Sequence, residues 1–180
     1  MIRKFSSQEL QARKPPLEDL KKIDRTPLHV VLDNIRSTQN VGAIFRTSDS
    51  VLAEQLYLCG ITPHPPRKDI EKSALGATEA VPWTWTSSVK ETVVKLKEKG
   101  VTICALELTQ ASVDFKEAKY PFPLALILGN EVEGVSDELL ELADMAVSIP
   151  MLGRANSLNV ATAYGIVAHE ILYRYRDGKK

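Results

Sequence analysis

The chain has 180 residues, of which 44% are apolar, and its 23 basic side chains equal its 23 acidic ones in number. This length suffices for one well-packed domain with a short appendage. No apolar run approaches about eighteen residues, and the N-terminus MIRKFSSQELQARKPP lacks the apolar core of a signal peptide, so we expect no membrane span, no secretion and a cytoplasmic location.

The first 26 residues are predicted to form a basic extension ahead of a domain that spans residues 27–180. Seven basic and four acidic residues lie in the first 25 positions, and the tail RYRDGKK carries four basic residues and one acidic residue. Basic ends on a neutral chain suit contact with phosphates, and they equally suit a solvated surface. The sequence KPP interrupts any helix in the extension.

Apolar runs typical of strands alternate with helical patterns from Pro27 onward. The predicted strands are LHVVLDN, QLYLCG, VPWTW, VTICALEL, LALILG and MAVSIP. Helices are predicted over NVGAIFRTSDSVL, SSVKETVVKLKEKG, SDELLELAD and from about Asn156 to Arg176. This alternation predicts an α/β fold with a mostly parallel sheet flanked by helices.

The first and last predicted helices have clear apolar faces. The first has Arg46 off its apolar face, which consists of Val41, Ile44, Phe45, Ser48, Val51 and Leu52. The predicted stripe of the last helix consists of Leu158, Ala161, Gly165, Ala168, Leu172 and Tyr175.

The cysteines and histidines do not form a metal-binding pattern. Cys59 and Cys104 lie in apolar runs and are expected in the core. The three histidines are scattered without the spacing of metal ligands. We therefore predict no metal site.

Four loops that follow predicted strands are rich in polar residues: DNIRSTQN, LELTQ, GNEVEG and MLGRANS. Ligands of open parallel sheets bind beyond the carboxyl ends of the strands, where these loops meet. Each loop also has a simpler explanation. Gly129 and Gly134 can make a turn, Asn40 can cap its helix, and Asn156 or Ser157 can cap the last one.

The segment GNEVEGVS resembles a phosphate-binding loop, but Val135 stands where that loop needs its lysine. Glu131 and Glu133 add negative charge where phosphates would bring more. No G-x-G-x-x-G follows a predicted strand. A cationic or phosphate-free ligand suits this loop better.

Three segments resemble, in order and spacing, the motifs of the SpoU (TrmH-type) RNA ribose 2'-O-methyltransferases of the SPOUT superfamily. They are LDNIRSTQNVGAIFRTSDS, LALILGNEVEGVS and IPMLGRANSLNVATAYGIVAHE, and the resemblance extends from Pro27 to Tyr175. It implies an α/β SPOUT fold with a C-terminal deep trefoil knot, S-adenosylmethionine bound in the knot, a homodimer, and a tRNA or rRNA substrate.

The resemblance also implies the site residues. The expected catalytic residues are Asn40, Arg46, Glu131, Ser157 and Asn159. The expected cofactor-binding residues are Leu106, Gly129, Asn130, Glu131, Ile149, Met151, Ser157 and Leu158. Because a guanidinium is a very poor base, we interpret Arg46 as a phosphate clamp that stabilises a developing alkoxide; it is a base only if its surroundings lower its pKa.

Further expectations concern RNA and the dimer. The segment with Ser73, Gly76 and Ala77 resembles one that approaches RNA in the family, and Arg67 and Lys68 lie nearby. Small residues on the first and last helices suit the close packing of the family's dimer. They are Gly42, Ala43, Ala161 and Gly165.

The alternative hypothesis is a noncatalytic RNA-binding or ribosome-assembly protein with the same fold. The presence of all five expected catalytic residues favours catalysis, because a binding module does not need the whole set.

Overall fold

A parallel sheet of seven strands forms the centre of the protein. The computed structural model describes residues 2–20 and 22–179. The strands in this part of the chain are β1 (Thr26–Asp33), β2 (Ala53–Cys59), β3 (Trp83–Thr86), β4 (Thr102–Leu106), β5 (Val113–Asp114), β6 (Leu124–Leu128) and β7 (Met145–Ser148). Their order is β3-β2-β1-β6-β4-β7-β5, and neighbouring strands run parallel. The predicted fold class is confirmed, and the knot stays a prediction.

Helices cover both faces of the sheet. They are α1 (Ser7–Ala12), α2 (Leu17–Leu20), α3 (Thr38–Ser50), α4 (Lys68–Ala74), α5 (Ala77–Ala80), α6 (Val89–Glu98), α7 (Asp137–Leu142) and α8 (Val160–Asp177). One core lies between the sheet and α3, α4, α5 and α8, and a second lies between the sheet and α6 and α7. Strand β6 is buried along its whole length because it lies between these two cores. No helix among the described residues is long and apolar enough to span a membrane.

The predicted apolar face of α3 is confirmed, whereas that of α8 is wrong in part. The buried residues of α3 include Val41, Ile44, Phe45 and Ser48, whereas the predicted Val51 and Leu52 follow its last residue. Those of α8 are Tyr164, Val167, Ala168, Ile171 and Leu172, which rotates the predicted stripe. The buried Tyr164 hydroxyl is 2.9 Å from the Ser48 hydroxyl, and this hydrogen bond between α8 and α3 places the tyrosine inside.

Two of the small residues that the sequence assigns to a dimer interface differ in their packing within the chain, and the dimer contact itself stays a prediction. A Cβ atom at Gly42 would overlap the Ser73 hydroxyl of α4, so this glycine permits close contact between α3 and α4. The nearest atom to a Cβ at Gly165 is the Thr47 hydroxyl of α3, at 3.9 Å. Gly42 therefore serves helix packing within the chain, whereas the partly exposed Gly165 has room for a larger side chain.

The N-terminal extension contains two short helices. Helix α1 begins with a capping box, in which the Ser6 hydroxyl accepts from the Glu9 N–H, and it buries no residue. Arg25 fastens the end of the extension by donating to the carbonyl oxygens of Ala53, at 3.1 Å, and Ala80, at 2.8 Å. Strand β1 begins at Thr26. The division between residues 1–26 and 27–180 stays a prediction.

Candidate active site

The loop 129–135 folds back on itself directly after β6. Asn130 and Gly134 exchange two backbone hydrogen bonds, each 2.9 Å long. Gly129 is buried, and a Cβ atom there would overlap the backbone of Gly134 and Val135. Gly134 has a φ of +72°, which favours glycine. The two glycines make a tight turn, as the sequence predicts. This turn also forms one wall of the main cleft of the protein.

Two carboxylates that sequence reasoning missed hold this loop. The Glu107 carboxylate accepts from the N–H groups of Val135, at 2.9 Å, and Leu108, at 2.8 Å. The buried Asp33 carboxylate accepts from the N–H of Ser136, at 3.2 Å. Such charge-assisted hydrogen bonds are stronger than neutral ones. The only sequence signal for them is that each acid lies at the carboxyl end of a strand.

Glu131 projects from the loop toward the start of α3. Its carboxylate accepts from the N–H of Arg36, at 2.9 Å, and from the N–H of Ser37, at 3.0 Å. It also accepts from Nδ2 of Asn40, at 2.9 Å. Burial raises the pKa of Glu131, but these hydrogen bonds together lower it below its ordinary value. The group is therefore an ionised anchor for α3 and a weak base.

Asn40 continues this contact to the last motif. Its Oδ1 accepts from Nδ2 of Asn159, at 3.0 Å. Oδ1 of Asn159 accepts from the N–H groups of Ala161 and Thr162, at 3.0 and 3.3 Å. These N–H donors fix the amide orientation of Asn159, which in turn fixes that of Asn40. We call Glu131, Asn40 and Asn159 the carboxylate–amide bridge; it joins all three motifs.

The start of the last helix differs from the prediction. Helix α8 begins at Val160 with Asn159 as its N-cap, not at about Asn156. Asn156 and Ser157 are exposed in the preceding loop, and neither caps the helix. Several polar residues here have similar capping ability. Asn159 caps the helix through its Oδ1, and its Nδ2 also donates to Oδ1 of Asn40.

A cleft of about 610 Å³ lies where the loop 129–135, the ends of β4 and β7, and the loop before α8 meet. Its lining includes all eight predicted cofactor-binding residues: Leu106, Gly129, Asn130, Glu131, Ile149, Met151, Ser157 and Leu158. Besides Glu131, the lining includes the acidic residues Glu107 and Glu133, whereas it includes no Lys, Arg or His within the described chain. The cleft therefore presents negative charge and apolar surface.

The predicted catalytic residues do not all lie in this cleft. Glu131, Ser157 and Asn159 line it, and Asn40 is held beside it through Asn159. Arg46 is exposed on α3 and lies outside the cleft lining, with no hydrogen bond or ion pair to another described residue. Its guanidinium is therefore available to a bound molecule or a second chain.

The segment expected near RNA is mostly committed to packing. Ser73 donates to the Ile70 carbonyl oxygen at 3.1 Å and lies against Gly42. Ala77 is buried in the core. Gly76 is exposed, so it is the accessible member of the three expected residues.

Residues 27–169 match the model of the SpoU rRNA Methylase family, which covers well over half of the chain. The chain belongs to the SpoU rRNA methylase family. This membership agrees with the parallel α/β sheet and with the order of the three motifs, which the structure brings to one edge of that sheet.

Relatives of this SpoU-family chain support the same assignment. A protein of Aquifex aeolicus named tRNA (guanosine(18)-2'-O)-methyltransferase is 35% identical over 94% of this chain and 80% of its own length. The crystal structure of an A. aeolicus TrmH/SpoU tRNA modifying enzyme superposes with a TM-score of 0.81, at 32% identity, over 94% of this chain and 86% of that one.

A second solved structure bears on the cofactor. The SpoU methyltransferase AviRb from Streptomyces viridochromogenes, described in complex with the cofactor AdoMet, has a TM-score of 0.79 to this SpoU-family chain. It is 26% identical, and the match covers 91% of this chain and 67% of that one.

Asn159→Ala is expected to lower both stability and activity. Loss of the cap should cost about 1 kcal/mol in the free energy of unfolding, and loss of the contact to Asn40 should reduce cofactor affinity and methyl transfer. Denaturant unfolding, calorimetry and a methylation assay measure these effects. Asn156→Ala is the control for stability, since this residue does not cap α8. Equal stability losses in the two variants would contradict the observed cap.

Glu131→Gln is expected to show a pH-dependent loss of stability. Because the pKa of Glu131 is lowered in the folded chain, its stabilising contribution is complete above about pH 5 and is lost as the pH falls through the lowered value. Urea unfolding of both proteins from neutral to acid pH should give a constant difference at first, which then shrinks. A difference that grows at acid pH would show that the carboxylate is not stabilised by folding.

Proposed function

We propose that this chain is an S-adenosylmethionine-dependent RNA ribose 2'-O-methyltransferase whose substrate is tRNA. The observation that carries the proposal is that the carboxylate–amide bridge links the three motifs by hydrogen bonds. The bridge lies beside a cleft lined by acidic and apolar residues. Membership of a methyltransferase family and the named relatives support it.

The cleft suits S-adenosylmethionine in size and charge. Clefts of about 300–1,000 Å³ hold ligands of drug-like size, and this one falls in that range. Its carboxylates favour a ligand with sulfonium and ammonium groups over a nucleoside triphosphate. Leu106, Ile149 and Leu158 provide apolar surface for an adenine ring. When bound, the cofactor supplies a methyl group that its sulfonium already activates.

The carboxylate–amide bridge has donors left for a ligand. Each asparagine amide has two N–H donors, and each uses one within the bridge: Asn40 toward Glu131, and Asn159 toward Asn40. The second N–H of each amide remains to orient the ribose or the cofactor. These donors would orient the ribose so that its 2'-hydroxyl faces the methyl group of the cofactor, which is the main requirement of this reaction.

The 2'-hydroxyl must also lose its proton, and because the lining offers no histidine or cysteine within the described chain, this proton passes to solvent water. Glu131 is a weak base because three donors stabilise its charge. We assign Arg46 to the phosphate beside the reacting ribose, where its charge stabilises the developing alkoxide. Ser157 is exposed at the cleft and completes the polar contacts to the ribose.

The name of the A. aeolicus relative supports tRNA over rRNA. The direct test is incubation with S-adenosylmethionine and either total tRNA or rRNA, followed by mass spectrometry of the nuclease digest. We expect a 2'-O-methylated nucleoside in tRNA. Methylation of rRNA alone would contradict the substrate assignment. Transfer to neither RNA, with S-adenosylhomocysteine still bound, would favour the noncatalytic alternative.

The proposal includes a homodimer. Helix α8 leaves Ile166 and Tyr173 exposed to 38% and 60%, and Arg46 lies outside the cleft of its own chain. A second copy would cover the apolar side chains and could bring another surface to the cleft. Sedimentation at micromolar concentration should give a dimer, and a monomer of 19.9 kDa would contradict this part of the proposal.

A further inference from the structure

A cluster of aromatic rings lies at one margin of the sheet, outside the cleft. Trp83 and Trp85 belong to β3, the edge strand, and their spacing places both on the same face. Trp83 packs edge-on against Phe45, with ring centroids 6.4 Å apart, and joins the core. The His64 ring contacts both tryptophans, at 6.2 Å from Trp83 and 5.7 Å from Trp85. The cluster is thus anchored at its inner end.

Its outer rings are exposed, yet they are held in place. Trp85 is 44% exposed, and its indole N–H donates to the Gly60 carbonyl oxygen at 3.2 Å. Nδ1 of His64, also an exposed residue, is 2.8 Å from the Pro65 carbonyl oxygen. A large aromatic side chain fixed in this way offers a preformed flat surface, so a ligand that stacks on it has little ordering to impose.

The cluster is connected to the candidate active site. The loop after β2 carries Ile61, whose N–H donates to Oδ1 of Asn34 at 3.1 Å. The carbonyl oxygen of Asn34 accepts from Nδ2 of Asn130, in the loop 129–135, at 2.7 Å. Strands β6, β1, β2 and β3 are consecutive in the sheet, so three strand intervals, about 15 Å in all, separate the two places.

Basic side chains lie beside the aromatic rings in sequence and fold. The segment from His64 to α4 carries Arg67, Lys68 and Lys72, all exposed. Arg67 pairs with Asp69 at 3.3 Å, whereas Lys68 and Lys72 have no ion-pair partner among the residues that the structure describes. Cations next to exposed aromatic rings are the arrangement that single-stranded nucleic acids require, since bases stack while phosphates need counter-charges.

We propose that Trp85 and His64 form a stacking platform for an unpaired base of the substrate RNA, a few nucleotides from the ribose in the cleft. This inference rests on the proposed function. A platform for RNA explains why Trp85 remains exposed on the edge strand, at the carboxyl edge of the sheet. It also explains why the neighbouring loop after β2 is linked by hydrogen bonds to the loop 129–135. A base has an aromatic face whatever its identity, so the platform fixes the position of the strand and adds little sequence preference.

Fluorescence provides a direct test because the chain has two tryptophans, Trp83 and Trp85. RNA that the enzyme methylates is titrated into protein saturated with S-adenosylhomocysteine, which prevents turnover. We expect the emission of the wild-type protein to be quenched, and we expect Trp85→Phe to lose most of this quenching, since Trp83 is turned toward the core.

Kinetics test the contribution to RNA affinity. Trp85→Ala should raise the KM for RNA about 5- to 150-fold, the effect expected when one base–aromatic stack is lost. Its kcat at saturating RNA and its affinity for S-adenosylhomocysteine should match wild type. Trp85→Phe keeps an aromatic face and should recover most of the affinity. Thr84→Ala is the matched control, because this exposed residue lies on the other face of the same strand.

The possible results separate the two proposals. A wild-type KM for both Trp85 variants, with RNA still methylated, would overturn the platform and leave the proposed function intact. A change in the oligomeric state of Trp85→Ala in sedimentation, without a change in its KM for RNA, would overturn the platform and identify Trp85 and His64 as part of a protein interface. If the wild-type protein neither binds nor methylates RNA, both proposals are wrong.

Discussion

Gly129→Ala is expected to abolish detectable binding of S-adenosylhomocysteine, with a loss of affinity of about 100-fold or more. The added methyl would overlap the backbone of Gly134 and Val135, and backbone cannot rotate away as a side chain can. The loop must therefore move, which breaks its internal hydrogen bonds and its contact with Glu107. Overpacking of this kind also costs about 1–3 kcal/mol of stability.

Calorimetry measures the affinity, and a thermal melt confirms that the Gly129 variant is folded at the assay temperature. Gly153→Ala is the matched control: this glycine lies in the loop before α8, has no positive φ, and has open space where the methyl would be. It should bind within about twofold of wild type, since small effects are usual at such surface sites. Wild-type affinity in Gly129→Ala would show that the cofactor does not use this loop.

Arg46→Ala is expected to reduce methyl transfer by at least about a hundredfold, the usual effect of losing one transition-state contact. Its affinity for S-adenosylhomocysteine should stay near wild type, because Arg46 lies outside the cleft lining. Arg46→Lys should also be poor, since it keeps the charge but loses the planar fork that binds phosphate.

Single-turnover rates on the unmodified RNA that the wild-type protein methylates measure the effect at Arg46. Lys95→Ala is the control for loss of an exposed positive charge, since it lies on α6, on the opposite face of the sheet from α3. Near-normal rates in Arg46→Ala would refute the assignment and direct attention to Ser157 or Glu131 as the group that handles the proton.

Much of the fold could be predicted from local sequence because its main elements are long and strongly patterned. The run LALIL is apolar throughout, as a strand covered on both faces must be, and it forms β6. Helix α3 has a clear helical period and buries the predicted face. The short elements α4, α5 and β5 escape prediction because they contain too few residues to show a period.

The residues of the candidate site could be predicted only where they belong to the three motifs. The resemblance named the residues of the carboxylate–amide bridge, but it did not show that Asn159 caps α8 or that it contacts Asn40, more than a hundred residues earlier. Glu107 and Asp33 escaped because their partners are backbone N–H groups, which leave no mark in the side-chain sequence. Trp85 escaped because tryptophans are highly buried on average, and nothing in the sequence of β3 distinguishes Trp85 from Trp83.

The carboxylate–amide bridge also determines when during its synthesis the protein can become active. Asn40 and Glu131 are 91 residues apart in sequence, and Asn40 and Asn159 are 119 apart. Contacts between such distant residues form late in folding, because closing a long loop costs chain entropy first. A nascent chain folds from its N-terminal side, so Asn40 can meet Glu131 before residue 159 is made. Both amides reach the geometry that binds a ligand only when the third motif is present. A chain interrupted before it would lack Asn159 and also helix α8, which covers one core of the sheet.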